Sequence, residues 1–222
     1  MFLSLIPNVR WDKMLEATAE TLYMTAISCI FVFILGLIIG LVLFLTAPNQ
    51  LLENKWVNRM LSAFVNIFRS IPFVILIILL LNFTKFLVGT ILGPNAALPA
   101  LIIGAAPFYG RLVEIALREI DKGVIEASIA MGASLWTIIR KVLIPESLPA
   151  LVSGITVTTI SLVGYTAMAG VIGAGGLGNL AYLDGFQRQR FDVVFVATVI
   201  ILILVFIIQF VGDTITKKID KR

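Results

Sequence analysis

The sequence predicts an all-α membrane protein with five transmembrane helices. Three observations predict it. Of its 222 residues 59% are hydrophobic and 14% charged, against about one quarter charged in an average soluble domain. The mean hydropathy is +1.05. The apolar residues are gathered into long runs free of charge, and a hydrocarbon core of about 30 Å needs about 20 helical residues to cross.

The first run, Thr21 to Leu52, places a span at about 21–45. It is too long and lacks the basic leader expected of a cleaved signal peptide. The mixed-charge stretch ahead of it, Met1 to Glu20, is expected to form a short surface helix. The second span, about 60–81, carries one charge, Arg69, three residues before Pro72. Proline removes a backbone donor and kinks or breaks a helix. Two readings of Arg69 stand side by side: its long side chain snorkels to the cytoplasmic surface, or it sits at a helix break facing polar protein. The third span, about 87–110, has Pro107 near its end; the fourth, about 147–172, and the fifth, about 193–212, contain no charge.

Cytoplasmic segments are enriched in Lys and Arg. With the N-terminus outside, the inner segments 46–60, 111–146 and 213–222 hold 11 basic residues and the outer ones 5. The expected topology is therefore N-out, C-in. The formal charge of +4 is read as a topology signal, since no basic patch interleaved with aromatics marks a nucleic-acid partner. The chain has no histidine and one cysteine, Cys29. That removes the usual general base near neutral pH, a Cys-based metal cluster and an internal disulfide.

Between the third and fourth spans lies the only sizeable polar segment, 111–146. Glu114 and Arg118 stand four apart, a spacing that lets them pair on one helix face. Ile125 to Met131 suggests a short amphipathic helix, which Gly132 can end in the left-handed conformation. Ser134 can cap the next helix, and Pro145 stops that helix or kinks its passage into the fourth span. Residue pattern alone allows a hairpin lying on the membrane surface or a docking element for a cytoplasmic protein.

The residues themselves add a resemblance. "EASIAMGASLWTIIRKVLIP" (126–145) resembles the EAA loop of ABC-transporter permeases, with Glu126, Ala127, Gly132 and Pro145 in the pattern's positions; Ser128, Val142 and Ile144 are substitutions of like kind. "NIFRSIPF" (66–73), "GAAPF" (104–108), "GYTAMAGVIGAGGLG" (164–178) and "IQFVGD" (208–213) resemble the permeases of bacterial methionine-uptake ABC transporters, over nearly the whole chain.

The resemblance implies a type I ABC importer permease fold in the bacterial cell membrane. It implies a second copy of the chain, two cytoplasmic ATPase subunits and an extracytoplasmic methionine-binding lipoprotein as partners. ATP and magnesium would belong to the ATPase, so this chain would need no cofactor; it has no G-x-x-x-x-G-K-[ST] stretch of its own. Glu126, Ala127, Ser128, Ala130, Met131, Gly132, Ala133 and Ser134 would form the coupling helix and its turn. The mixed small, hydroxylated and apolar stretch 159–170 would line the substrate pathway through Gly164, Tyr165 and Met168. In such permeases the methionine matching Met168 lines the constriction on the two-fold axis.

Gly173, Gly175 and Gly178 fit G-x-G-x-x-G, but no βαβ pattern surrounds them and the charge bias puts them at the outer face, so a dinucleotide loop is excluded. With Gly176 they are expected to give a tight reversal and close packing near the outer mouth. Three alternatives remain: a permease for another amino acid or small solute, an ATP-independent channel or carrier, and an intramembrane enzyme. A carrier is expected to show internal repeats and mid-membrane charges. An enzyme would need paired groups that the spans do not hold.

Overall fold

A computed structural model describes residues 7–220, and these are helical with no strand among them. Four helices are long and apolar enough to cross a membrane. They are α1 (Trp11–Thr46), α5 (Pro94–Arg118), the continuous run Leu135–Val171 that ends in α8 (Ile144–Val171), and α10 (Phe191–Ile219). The region of the second predicted span is a bent pair. Helix α2 (Lys55–Ser70) is followed after a two-residue break by α3 (Phe73–Leu79), with a bend of 106°. Counted as one span, the pair brings the total to five.

Among the described residues no separate surface helix precedes the first span. From Trp11 onward the chain is one helix of 36 residues, about 54 Å long at 1.5 Å per residue. Residues 11–20 contain no glycine or proline and several strong helix formers, so nothing interrupts the propagation. The first six residues of the expected surface helix, and Lys221 and Arg222 of the inner basic cluster, lie outside the described residues.

The prolines behave differently according to their surroundings. At Pro72 the helix breaks, because the preceding Ile71 takes the extended conformation (φ −77°, ψ 123°) that a following proline favours. Pro107 and Pro99 both lie inside α5, which runs on through them. Ala105, Ala106, Pro107 and Tyr109 are buried, so neighbouring helices hold the α5 backbone in place. After α3, α4 (Leu81–Val88) ends at Gly89 in the left-handed conformation, and a short loop leads to α5.

Helix α5 is the most buried of the long helices and α10 the least, with 61% and 11% of their most apolar stretches buried. Helix α1 packs closely along α5. A Cβ on Gly36 would come within 2.6 Å of Tyr109, and one on Gly110 within 2.7 Å of Ile39. Glycines four apart, Gly36 and Gly40, let the two backbones meet. Val32, Leu101, Tyr109, Val113, Leu117, Leu143 and Leu162 fill the shared core. On the other side of α8, Gly212 of α10 lies flat against Thr156.

The polar segment begins inside α5, which continues to Arg118. Glu114 is buried and accepts hydrogen bonds from Arg111 and, at 2.7 Å, from Arg118. Then follow α6 (Lys122–Ala130) and a single α-turn, α7 (Leu135–Ile138). A π-helical turn at Ile139–Leu143 joins α7 to α8. Pro145 has no N–H to donate to the preceding turn, and widening that turn accommodates the ring without ending the helix.

Candidate functional site

The outer glycine loop starts where α8 stops. Gly173, Gly175 and Gly176 have φ of +96°, +81° and +76°, a region that L side chains rarely enter. The reversal they make leads into α9 (Gly176–Leu180). Gly93 donates its N–H to the Gly173 carbonyl at 2.9 Å, which ties the loop to the start of α5. Gly178 has no room for a side chain, because a Cβ would overlap the Ala167 backbone. The free N–H groups at the start of α9 do receive an anion, and it is the protein's own: Gly176 donates to a Glu20 carboxylate oxygen at 2.6 Å and Leu177 to the Thr21 hydroxyl at 2.9 Å. The cofactor-like motif is thus an internal tie between α9 and α1.

Beside this tie is an outer cleft of about 510 Å³ lined by Lys13, Glu16, Glu20, Asp184 and Arg188 among others. Asp184, on the π-helical turn after α9, pairs with Lys13 at 2.8 Å and Arg188 at 3.1 Å. The hydrogen bond from Lys13 holds its carboxyl below the usual carboxylate range, helped by the charges of Lys13, Arg188 and Arg190.

Gly164 and Met168 lie on one exposed face of α8 with exposed Val157 and half-buried Ser161, at spacings of four, three and four residues. A Cβ on Gly164 would meet nothing within 4 Å, and Met168 is 45% exposed. The opposite face, with Leu151, Thr158, Leu162 and Ala169, is buried. Tyr165 does not join Gly164 and Met168. It leans the other way and stacks on Phe73, ring centroids 4.5 Å apart and planes 6° from parallel.

Arg69 and Pro72 meet at the α2–α3 break. A pocket of about 230 Å³ opens there between α2, α3, α5 and α8, with Arg69, Phe73, Gly104, Phe108 and Tyr165 in its wall. The Arg69 guanidinium lies over the Phe108 ring, 5.7 Å from its centroid, within the reach of a cation–π contact. Arg69 is exposed one residue before the end of α2, and the wall around it is aromatic and apolar where the second reading expected polar protein.

At the cytoplasmic end Asp121 caps α6 by accepting from Gly123 N–H at 2.7 Å. The helix ends at Gly132, φ +76°, whose N–H donates to the Ile129 carbonyl. Ser134 caps α7 through Thr137 N–H. Glu126, Ala127, Ala130, Met131 and Gly132 are exposed, and Ala133 and Ser134 follow in the turn. Ser128 is the exception: it is buried, donates to the Val124 carbonyl at 2.8 Å and helps seat α6 on the bundle with Ile125. Met131 at 80% and Trp136 at 68% exposure leave a large apolar surface on this end.

Sequence reasoning missed Glu20, Thr21 and the Phe73–Tyr165 stack. Nothing local links Glu20 to a loop 156 residues away. The Gly36–Gly40 pair, by contrast, carried a readable signal, glycines four apart in an apolar helix.

Comparison with known proteins agrees over the whole chain. A family model described as the inner membrane component of binding-protein-dependent transport systems matches residues 32–222. The chain is 68% identical over 222 residues to the methionine import system permease protein MetP of Bacillus subtilis (strain 168), covering 100% of each. It is 46% identical over 212 residues to the probable D-methionine transport system permease protein MetI of Pasteurella multocida (strain Pm70), covering 96% of this chain and 98% of that one. Among solved structures, a chain of the inward-facing MetNI methionine ABC transporter superposes with a TM-score of 0.93 at 48% identity, covering 94% of this chain and 97% of that chain. An amino acid ABC transporter shares the fold at a TM-score of 0.79 and 18% identity, covering 98% of each chain.

Proposed function

The chain belongs to the family of binding-protein-dependent transport system inner membrane components, with the type I importer permease fold, and we infer that it is the membrane permease of an ATP-driven methionine importer. The observation that carries this reading is the full-length identity of 68% to a methionine import permease. The substrate is L-methionine, with D-methionine and related derivatives as further candidates, and it moves into the cytoplasm.

Two copies of the chain form the pathway in the bacterial cell membrane. Two cytoplasmic ATPase subunits bind ATP and magnesium, and an extracytoplasmic lipoprotein delivers methionine. The exposed face of α6, from Glu126 to Gly132, seats in the ATPase and carries its closure to the spans. A rigid short helix with small Ala127 and Ala130 suits close docking, and exposed Met131 and Trp136 supply apolar surface. The spans then exchange inward-open and outward-open states. Nucleotide drives that exchange through its different affinity for the two states. Met168, on the open face of α8, closes the pathway against its counterpart; a flexible thioether suits an apolar gate.

The test is ATP-dependent uptake of labelled methionine into vesicles holding the permease, its ATPase and the binding lipoprotein, with unlabelled amino acids as competitors. Methionine should accumulate and compete best. ATP-dependent accumulation of a different solute, with methionine excluded, would reject the substrate assignment.

A further inference from the structure

The pocket at the α2–α3 break has a chemistry that the import reading leaves unused. Gly104 and Phe108 in its wall lie 10 and 14 residues into α5. At 1.5 Å per residue these positions are about 15 and 21 Å from the start of the helix, in the cytoplasmic half of a span that needs about 30 Å to cross. A charge at that depth is costly unless something balances it. Arg111 and Arg118 share Glu114, and Lys13 and Arg188 share Asp184. Arg69 is exposed at the mouth of the pocket, pairs with no carboxylate among the described residues, and has its guanidinium over the face of Phe108.

We propose that this pocket binds the transported amino acid within each protomer, with Arg69 receiving its α-carboxylate. The proposal rests on the import reading above and assigns that reading an intramembrane site. The guanidinium presents paired N–H donors that match a carboxylate. The ammonium is met by the carbonyl end of α2, whose last carbonyls lack helical partners and carry the negative end of the helix dipole. Aromatic faces add to this. The parallel rings of Phe73 and Tyr165 form an apolar wall suited to a thioether, which packs favourably against aromatic groups. The volume of about 230 Å³ is below the 300–1,000 Å³ of sites for drug-sized ligands and fits a single small amino acid. Gly104 keeps one side of the pocket flat: a Cβ there would press to 3.2 Å from Leu76 and 3.3 Å from Phe73. No acidic residue lines the pocket, so a cationic side chain finds no partner in it.

The experiment uses the assembled permease–ATPase complex without the binding lipoprotein. Equilibrium dialysis with radiolabelled L-methionine is run on the parent, Arg69→Gln and Arg69→Lys, with methioninamide, which lacks the carboxylate, as competitor. The parent should bind one methionine per protomer, and methioninamide should displace it at least about tenfold less well than methionine. Arg69→Gln should weaken binding by at least about tenfold, and Arg69→Lys by less, because the point charge remains. No binding by the parent, equal displacement by methioninamide, or an undiminished affinity in Arg69→Gln would overturn the site. The methioninamide comparison needs no variant and decides the matter if Arg69→Gln fails to assemble. Uptake by the parent complex with its binding lipoprotein is read separately. Normal uptake with no binding at this site removes the pocket and keeps the importer; no methionine uptake removes the importer reading itself.

Discussion

Asp184 shows how a single carboxylate holds the outer end of the bundle together. Its acidity is raised by the hydrogen bond from Lys13 and by the neighbouring cations, so the folded state binds its proton less readily than the unfolded chain does. Such a group adds stability above the unfolded pKa, about 3.9 for Asp. The contribution disappears as pH falls through the lower folded value. Asp184→Asn should therefore unfold at a lower temperature than the parent at neutral pH. The gap should narrow below about pH 4, as thermal unfolding in detergent across a pH series would show. A gap that stayed constant down to the lowest pH would mean that the ion pairs contribute nothing.

Two glycines separate conformational strain from steric exclusion in the same way. Gly132 has a left-handed backbone and open space around it, so Gly132→Ala should cost about 1 kcal/mol. Gly178 has an ordinary φ but lies on the Ala167 backbone, so Gly178→Ala should cost about 1–3 kcal/mol as overpacking. Denaturant titration of the two variants would check the order. The sequence made the glycine reversal readable, since glycines cluster where chains turn tightly. It did not make Glu20 readable as its anion, since that contact depends on how α1 is placed by the whole bundle.

At the scale of elements, what was legible is what depends on length and local pattern. Charge-free runs gave the spans, and the short α6 ended at its glycine because both signals are local. The different behaviour of Pro72 and Pro107 was not legible, because burial of the surrounding turn decides whether a proline breaks a helix or is held within it. Nor did the pattern show Ser128 turning inward while its neighbours stay exposed. The face of α6 that remains open makes a specific claim. Glu126→Lys reverses an exposed charge on a helix whose anchors, Ile125 and Ser128, are untouched. The variant should fold and pair with its own copy as the parent does, yet lose at least about tenfold in ATP-driven uptake, equivalent to about 1.4 kcal/mol of coupling. Pull-down of the ATPase and uptake, measured together, would test it; parental uptake with parental pull-down would exclude Glu126 from coupling.

The whole molecule presents two kinds of exposed surface, and they ask for different surroundings. Phe195, Phe206 and Phe210 on α10 are large, apolar and exposed, as suits lipid. The exposed face of α8 instead carries Ser161, Gly164 and Met168 with Val157, and its small groups permit close helix approach. A pair related by a two-fold axis meets through identical patches, so a residue on that axis faces its own counterpart. Pairing was readable in the sequence only through resemblance, because a symmetric interface leaves no period or charge signal in one chain. It becomes testable because Cys29 is the sole cysteine. Its thiol lies 3.1 Å from the Thr159 hydroxyl, a contact that Cys29→Ser can retain. In that background Met168→Cys should give a disulfide-linked dimer with copper-phenanthroline as oxidant, since a disulfide needs Cα atoms within about 7 Å. Uptake should fall on linking and return on reduction. Phe206→Cys, on the lipid side, should stay monomeric on a denaturing gel. Linking at 206 in place of 168 would put the two-fold axis on the other side of the bundle and remove Met168 from the gate.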